Sequence, residues 1–254
     1  MIGELSFFLG LQVNQMKNGI FISQNKYVKE MLKKFTMDDC KPVSTPMMIG
    51  CKLSKDDQAP SIDQTQYRFM IGSLLYLTAT RLDILQAVCL VARYQAAPKA
   101  THVSVVKRIF KYLKGTMEYG LWYPKGEDFT LVAYSNADWA GCVDDKKSTS
   151  GGAFFLGDNL VSWHSKKQES VSLSTTKAEY MVATSCCTQV LWMKQMLKDL
   201  GIQVSDPTTL RCDNTSAINI SKNLMMHCRT KHIAIRYHFL KDKVAEGGGL
   251  MASV

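Results

Sequence analysis

Three polar residues stand beside stretches whose patterns predict buried structure: Asn136, Glu179 and Asp213. Asn136 follows the apolar run "TLVAYS" and Asp213 follows "TTLRC", so each is expected where a strand ends. Glu179 lies in "TTKAEYMVATSCCTQVLWMKQMLKDL", where residues three or four positions apart are mostly apolar. Because residues at that spacing share one helix face, Glu179 is predicted at the start of a buried stripe.

A carboxylate on a core-facing stripe needs a compensating cation, since burying it unpaired is costly. In an α/β sheet, sites form beyond the carboxyl ends of strands. If the strands that end at Asn136 and Asp213 are parallel neighbours, these side chains can meet Glu179. Carboxylate oxygens bind Mg²⁺, and two such ions can flank a scissile phosphate. The alternative for Asp213-Asn214 is a helix N-cap, which explains Asp213 nearly as well.

The first half of the chain is predicted to contain a hairpin and several helices. Apolar runs on either side of Lys17-Asn18-Gly19 predict the hairpin, because Asn-Gly suits a tight turn. Helical structure is predicted over residues 67–94 and 101–115. The second of these stretches has a basic flank that includes Lys107, Arg108 and Lys111. Such a flank fits a solvated surface and also one that follows a phosphate backbone.

The second half is predicted to be a mixed α/β domain. The strand-like runs "FTLVAYS", "GGAFFLG" and "LVSWHSK" precede the long helix with Glu179, and the strand "TTLRCD" and further helices follow it. This order of elements is typical of a sheet packed with helices. The stretch "GTMEYGLWYPKGED" is interpreted as the connection between the halves, and "EGGGLMASV" as a frayed tail.

Composition and charge restrict the class of protein. With 46% hydrophobic and 21% charged residues, the chain has the make-up of a globular protein. It has no apolar run near the ~20 residues of a membrane helix and no signal-peptide pattern at its start. We therefore expect an intracellular protein, cytoplasmic or nuclear, with reduced cysteines and no membrane partner. The net charge of +9 suits a nucleic-acid partner about as well as a plain basic surface.

Several long stretches resemble the Pol polyprotein of plant copia-type retrotransposons. "YSNADWAGCVDDKKSTSGGAFFLG", "VSWHSKKQESVSLSTTKAEYMVA", "LRCDNTSAINISKN" and "HCRTKHIAIRYHFLKDKV" are similar to its ribonuclease H domain. "GIFISQNKYVKEMLKKFTMDDCKPVSTPM", "YRFMIGSLLYLTATRLDI" and "RIFKYLKGTMEYGLWY" resemble the end of the palm and the thumb of its reverse transcriptase. The resemblance implies an α/β protein of two parts. The first is an α+β thumb fragment over residues 1–120, and the second is a ribonuclease-H-like mixed α/β domain over 128–245. The second part is expected to be C-terminally truncated, without its last strand and helix.

The resemblance also implies hydrolysis of the RNA strand of an RNA–DNA hybrid with two Mg²⁺ ions held by four acidic residues. Glu179 and Asp213 match two of these positions, and Asn136 stands where the family has its first Asp. No residue is expected at the fourth position, because the sequence ends at Val254 before it. Asp138 is a weak substitute, since family members with the first Asp also carry this acid. Impaired hydrolysis is therefore expected, because Asn is neutral and cannot bridge two cations as a carboxylate does.

Other expectations follow from the same comparison. The aromatic-x-Asp-Asp signature of the polymerase is not found, and "CVDD" at 142–145 belongs to the ribonuclease portion, so no DNA synthesis is expected. The missing last strand predicts poor stability, because it leaves an interior-type strand at an edge. Two alternatives to an impaired nuclease remain open: a remnant that binds nucleic acid without cutting it, and a relic with no selected role. A partner polypeptide that completes the domains is a further unknown.

Nucleic-acid contacts are predicted from the basic flank of residues 101–115 and from a basic helix face near the C-terminus. That face carries Arg229, His232 and Arg236. The nearby His and Cys residues from 227 to 238 fit no ordinary zinc spacing. Trp139 and Trp163 could stack on bases, although packing in a core is the more common role of such rings.

Overall fold

The computed structural model describes residues 5–55, 58–126, 128–204, 208–222 and 249–253. The chain divides into two compact units, Met1–Lys125 and Gly126–Val254. The division lies within the stretch interpreted as a connection. Part of that stretch is not a linker, however, because Gly120–Pro124 is a strand of the first unit.

The first unit contains an antiparallel sheet with strand order β1-β2-β3-β4. Its strands are β1 (Phe7–Phe8), β2 (Leu11–Met16), β3 (Gly19–Ser23) and β4 (Gly120–Pro124). Met16 of β2 pairs with Gly19 of β3, so Lys17 and Asn18 form the loop. The predicted hairpin is confirmed, although Gly19 is the first residue of β3 rather than part of the loop.

The helices described in the first unit are α1 (Asn25–Lys34), α2 (Gln64–Leu77), α3 (Leu85–Ala92) and α4 (Ala100–Gly115). The helical stretch predicted over residues 67–94 is interrupted, since a 3-10 turn at Leu82–Ile84 lies between α2 and α3. At this break Arg81 turns inward and is only 2% exposed. Its guanidinium donates hydrogen bonds to the Asp83 carboxylate and the Thr116 carbonyl, which the non-helical backbone at this break allows.

The second unit contains a mixed sheet with strand order β7-β6-β5-β8-β9. Its strands are β5 (Leu131–Asp138), β6 (Thr149–Leu156), β7 (Asn159–Lys167), β8 (Thr208–Cys212) and β9 (Gly249–Ser253). β5, β6 and β7 pair antiparallel, whereas β8 pairs parallel with both β5 and β9. The helices described here are α5 (Thr175–Asp199) and α6 (Thr215–Lys222). The mixed α/β class is confirmed.

The prediction of a frayed tail and a missing last strand is wrong. Gly249 pairs with Thr208 and Ser253 with Cys212, so β9 runs along the whole of β8. β9 supplies partners for backbone groups on the outer side of β8 that would otherwise be unpaired. β8 is therefore an interior strand. The predicted instability no longer follows, because β8 is not an open edge of the sheet.

Each unit has its own hydrophobic core. In the first, α2, α3 and α4 enclose fully buried side chains such as Leu74, Val88 and Phe110. In the second, α5 packs on β5 and β6, and Phe154 and Val182 are fully buried. Within the described ranges, no helix combines the length and apolar character that crossing a membrane requires.

Candidate functional site

Parallel pairing of β5 and β8 brings the ends of both strands to one edge of the sheet. The last pair in the register joins Ser135 to Cys212. Asn136 and Asp213 are the next residues along the chain, so the parallel pairing on which their predicted adjacency depended is present. Asn136 does not follow the strand, however, because β5 continues through it to Asp138 and pairs with β6 there. The geometry agrees with the rule that sites form beyond the carboxyl ends of parallel strands.

Glu179 reaches this edge from the first turns of α5. Ser174 caps the helix by accepting a hydrogen bond from the Lys177 amide, and Glu179 itself is only 5% exposed. Beyond the last β5–β8 pair, the amide of Ala137 donates to Glu179 Oε1 at 2.7 Å. The predicted buried stripe is therefore present at Glu179, and a backbone amide fixes the orientation of its carboxylate.

The candidate site is a cluster of Glu179, Cys212 and Asp213, whose ligand atoms all lie within 4.8 Å of one another. Burial raises the pKa of Glu179, and the nearby Asp213 charge raises this pKa further, against the opposing effect of the Ala137 amide and Cys212. The Cys212 thiol faces Glu179 Oε2 at 3.9 Å, and burial together with the Glu179 charge raises its pKa. Burial makes the larger contribution to both shifts and neighbouring negative charge a smaller one, and a cation bound here would offset both.

The alternative of a helix cap applies to Asn214 rather than to Asp213. Asn214 Oδ1 accepts a hydrogen bond from the Ala217 amide at 2.8 Å, at the start of α6. Asp213 is exposed, and its carboxylate lies in the cluster with Glu179. The neighbouring Asn therefore does the capping, and Asp213 is available as a ligand.

Asn136 and Asp138 are both exposed residues near the end of β5. Asn136 precedes Ala137, whose amide holds Glu179, so its backbone borders the cluster. Asp138 accepts a hydrogen bond from the Thr149 amide, its register partner on β6. Asp138 is thus engaged in the β5–β6 connection and is not part of the metal-type cluster found among the described residues.

The basic flank predicted on residues 101–115 lies on α4 of the first unit. Lys107 is exposed, whereas Arg108 and Lys111 are half-buried and line a pocket of about 240 Å³. Arg108 also donates a hydrogen bond to Thr45 Oγ1 at 2.9 Å, so part of this flank is structural. Arg229, His232 and Arg236, and the His and Cys residues beside them, lie outside the described residues.

Sequence reasoning missed two contributors to this edge of the sheet. The sequence predicts Cys212 only as one of the reduced cysteines, although its place just before Asp213 on a strand puts it next to the site. Gln168 is 7% exposed and donates to Ser150 Oγ and to the Ala178 carbonyl, one residue before Glu179. No local pattern identifies Gln168, because its partners are remote in sequence.

The donors present fit one magnesium ion better than two. Mg²⁺ is usually bound through one or two carboxylates together with water, and Glu179 and Asp213 supply two. A second ion lacks ligands among the described residues: Glu179 Oε1 already accepts a hydrogen bond, and Asn136 carries no charge. Cys212 adds a sulfur donor, which suits softer metals than Mg²⁺.

Comparison with known proteins agrees with the resemblance seen in the sequence. The profile of the family described as "Reverse transcriptase (RNA-dependent DNA polymerase)" matches residues 1–49. The Pol polyprotein of transposon RE1 from Arabidopsis thaliana is 40% identical over 244 residues, covering 96% of this chain and 17% of the relative. That of transposon TNT 1-94 from Nicotiana tabacum is 38% identical over 252 residues, covering 96% and 19%. The chain thus spans less than a fifth of the length of these relatives.

Among solved structures, a ribonuclease H1 from Halobacterium salinarum superposes with a TM-score of 0.32 and 16% identity, covering 49% of this chain and 85% of that one. Family membership is carried by the sequence relatives, which match almost the whole chain. The chain therefore belongs to the family of copia-type retrotransposon Pol polyproteins.

Proposed function

We propose that the second unit is a ribonuclease-H-type domain that binds RNA–DNA hybrids and in which hydrolysis of the RNA strand is impaired. The observation that carries this proposal is the make-up of the cluster at the end of β5 and β8. Among the described residues it contains the carboxylates of Glu179 and Asp213, while Asn136 occupies the position of the family's first Asp. No DNA synthesis is proposed for the first unit.

The residues present have distinct roles in this proposal. Glu179 and Asp213 hold a divalent cation at the sheet edge, and the Ala137 amide keeps the Glu179 carboxylate oriented. Mg²⁺ bound there supplies positive charge next to a backbone phosphate. Asn136 can offer a carbonyl oxygen but not the charge of the missing acid, so binding is retained while cleavage is slow.

The test is cleavage of an end-labelled RNA–DNA hybrid in Mg²⁺ and, separately, in Mn²⁺. The unaltered chain should cleave slowly, and Asn136→Asp should increase the rate by at least about tenfold, which corresponds to about 1.4 kcal/mol in the barrier. The double variant Asn136→Asp/Glu179→Gln is the matched control and should lose that gain. Rapid cleavage by the unaltered chain, or no gain from Asn136→Asp, would contradict the proposal.

A second candidate function is nucleic-acid binding through α4 of the first unit, favoured by the exposed Lys107 next to Lys111. Each phosphate contact contributes close to one unit to the slope of log affinity against log salt. Lys107→Ala/Lys111→Ala should therefore reduce this slope by about one to two, measured by filter binding. Lys29→Ala, at an exposed position of α1, is the control and should leave the slope unchanged. A flat salt response of the unaltered chain would discard this candidate.

A further inference from the structure

We propose that Trp139 is a stacking platform for one unpaired nucleobase of the bound nucleic acid, beside the Glu179–Asp213 cluster. This inference rests on the proposed binding of RNA–DNA hybrids by the second unit. It adds a substrate preference. A hybrid whose single-stranded extension carries bases should bind more tightly than one whose extension has the same phosphates and no bases.

The indole of Trp139 is fixed at one edge and open elsewhere. Its Nε1 donates a hydrogen bond to the Ser172 carbonyl at 2.9 Å, yet 53% of the residue remains exposed. An indole N–H usually finds a partner where the ring is buried, whereas here the N–H is satisfied and the ring stays accessible. A ring held in this way loses little conformational freedom when a flat ligand stacks on it.

The platform is connected to the candidate site from two sides. Trp139 follows Ala137 by two residues, which limits the distance between their Cα atoms to about 7 Å, and the Ala137 amide binds Glu179. On the other side, the buried Ser172 donates its hydroxyl hydrogen to Gln168 Oε1 at 2.9 Å. Gln168 Nε2 in turn donates to the Ala178 carbonyl at 3.0 Å. These contacts fix the ring relative to the start of α5.

The surroundings of Trp139 match a nucleobase with its phosphate. Val171 and Leu173, on either side of Ser172 in the chain, are 45% and 78% exposed, so the segment that holds the indole also presents apolar side chains to solvent. A cation held by the proposed ligands Glu179 and Asp213 would bind the phosphate of the same nucleotide. Bases inside a fully paired duplex already stack on their neighbours, and so the occupant must be unpaired.

The test uses two dye-labelled hybrids with the same duplex and a short single-stranded RNA extension, which carries bases in one and is abasic in the other. Binding is measured by fluorescence anisotropy. The unaltered chain should prefer the base-containing hybrid by about 5- to 150-fold, the range expected for stacking of one base on an aromatic ring. Trp139→Ala should bind both hybrids equally, with its affinity for the abasic one unchanged, and Trp139→Phe should keep much of the preference.

Trp192→Ala is the matched control. Trp192 is 57% exposed and lies on α5, roughly 20 Å along the helix from Glu179 at 1.5 Å per residue, so its loss should leave the preference intact. If the unaltered chain binds both hybrids equally, the platform is refuted while hybrid binding stands. Binding of neither hybrid overturns the proposed function as well. The platform is also refuted if Trp139→Ala lowers the affinity for both hybrids equally, or if Trp192→Ala removes the preference for the base-containing hybrid.

Discussion

Replacing Glu179 by Gln is predicted to stabilise the second unit at neutral pH, although Glu179 is buried. Gln keeps an oxygen that can accept the hydrogen bond from the Ala137 amide and removes the charge that faces Asp213. Their oxygens lie within 4.8 Å of each other, and at that upper limit two unit charges repel by about 0.9 kcal/mol in water and about 3.5 kcal/mol at an effective dielectric constant near 20. Because Asp213 is exposed, we expect a gain of about 1–2 kcal/mol in the free energy of unfolding.

The predicted gain depends on pH with a definite sign. Burial raises the pKa of Glu179 in the folded state above that of the unfolded chain, and the Asp213 charge adds to this effect. The folded state therefore binds more protons between the two pKa values, so the original protein loses stability as the pH rises through this window. The advantage of Glu179→Gln should be largest above the raised pKa and vanish below about pH 4, where Glu is protonated in both states.

Amide hydrogen exchange of β5 and β8 measures the opening free energy of the second unit by itself. Asp213→Asn is the matched variant and should also stabilise, because it removes the other half of the same repulsion. The double variant should gain less than the sum of the single variants. If Glu179→Gln destabilises the unit at pH 7, or if its effect does not change with pH, the crowding of charge in the cluster is refuted.

Three other predictions follow from the described contacts. Millimolar Mg²⁺ should raise the melting temperature of the unaltered chain and not that of Glu179→Gln, because a cation that binds the folded state stabilises it by mass action. Arg81→Met should destabilise the first unit by about 3 kcal/mol in urea unfolding, since it leaves the half-buried Asp83 carboxylate without its cation and with only the Tyr112 hydroxyl as a side-chain partner. Lys29→Met is the surface control. Gln168→Leu should cost about 1–3 kcal/mol and increase hydrogen exchange at the start of α5, because Ser172 and the Ala178 carbonyl each lose one hydrogen-bond partner.

Local patterns were sufficient for the elements whose signals are periodic. The apolar run of β5, the spacing of apolar residues in α5 and the Asn-Gly pair between the apolar runs of β2 and β3 each identify their element from neighbouring residues alone. β4 and β9 were missed because their partners are remote. β4 pairs with β3 about 100 residues earlier in the chain, and β9 with β8 about 40 residues earlier, so pairing rather than propensity determines these short strands.

The residues of the candidate site also fall into those that local sequence predicts and those that depend on remote contacts. Glu179 and Asp213 could be predicted because a carboxylate on a buried stripe and an acid at a strand end are visible in the sequence. The parts played by Cys212 and Gln168 could not, because they depend on which segments the fold brings into contact. The break in the helix at Arg81 has the same origin, since the buried guanidinium depends on Thr116 from another part of the chain.

The most direct test of the central claim is the number of divalent cations that the cluster holds. Crystals of the unaltered chain soaked in Mn²⁺ would reveal each bound ion by its anomalous scattering. One ion between Glu179 and Asp213 is the predicted result, since these are the carboxylates that the described sheet edge provides. Two ions bridged with help from the Asn136 amide would contradict the account.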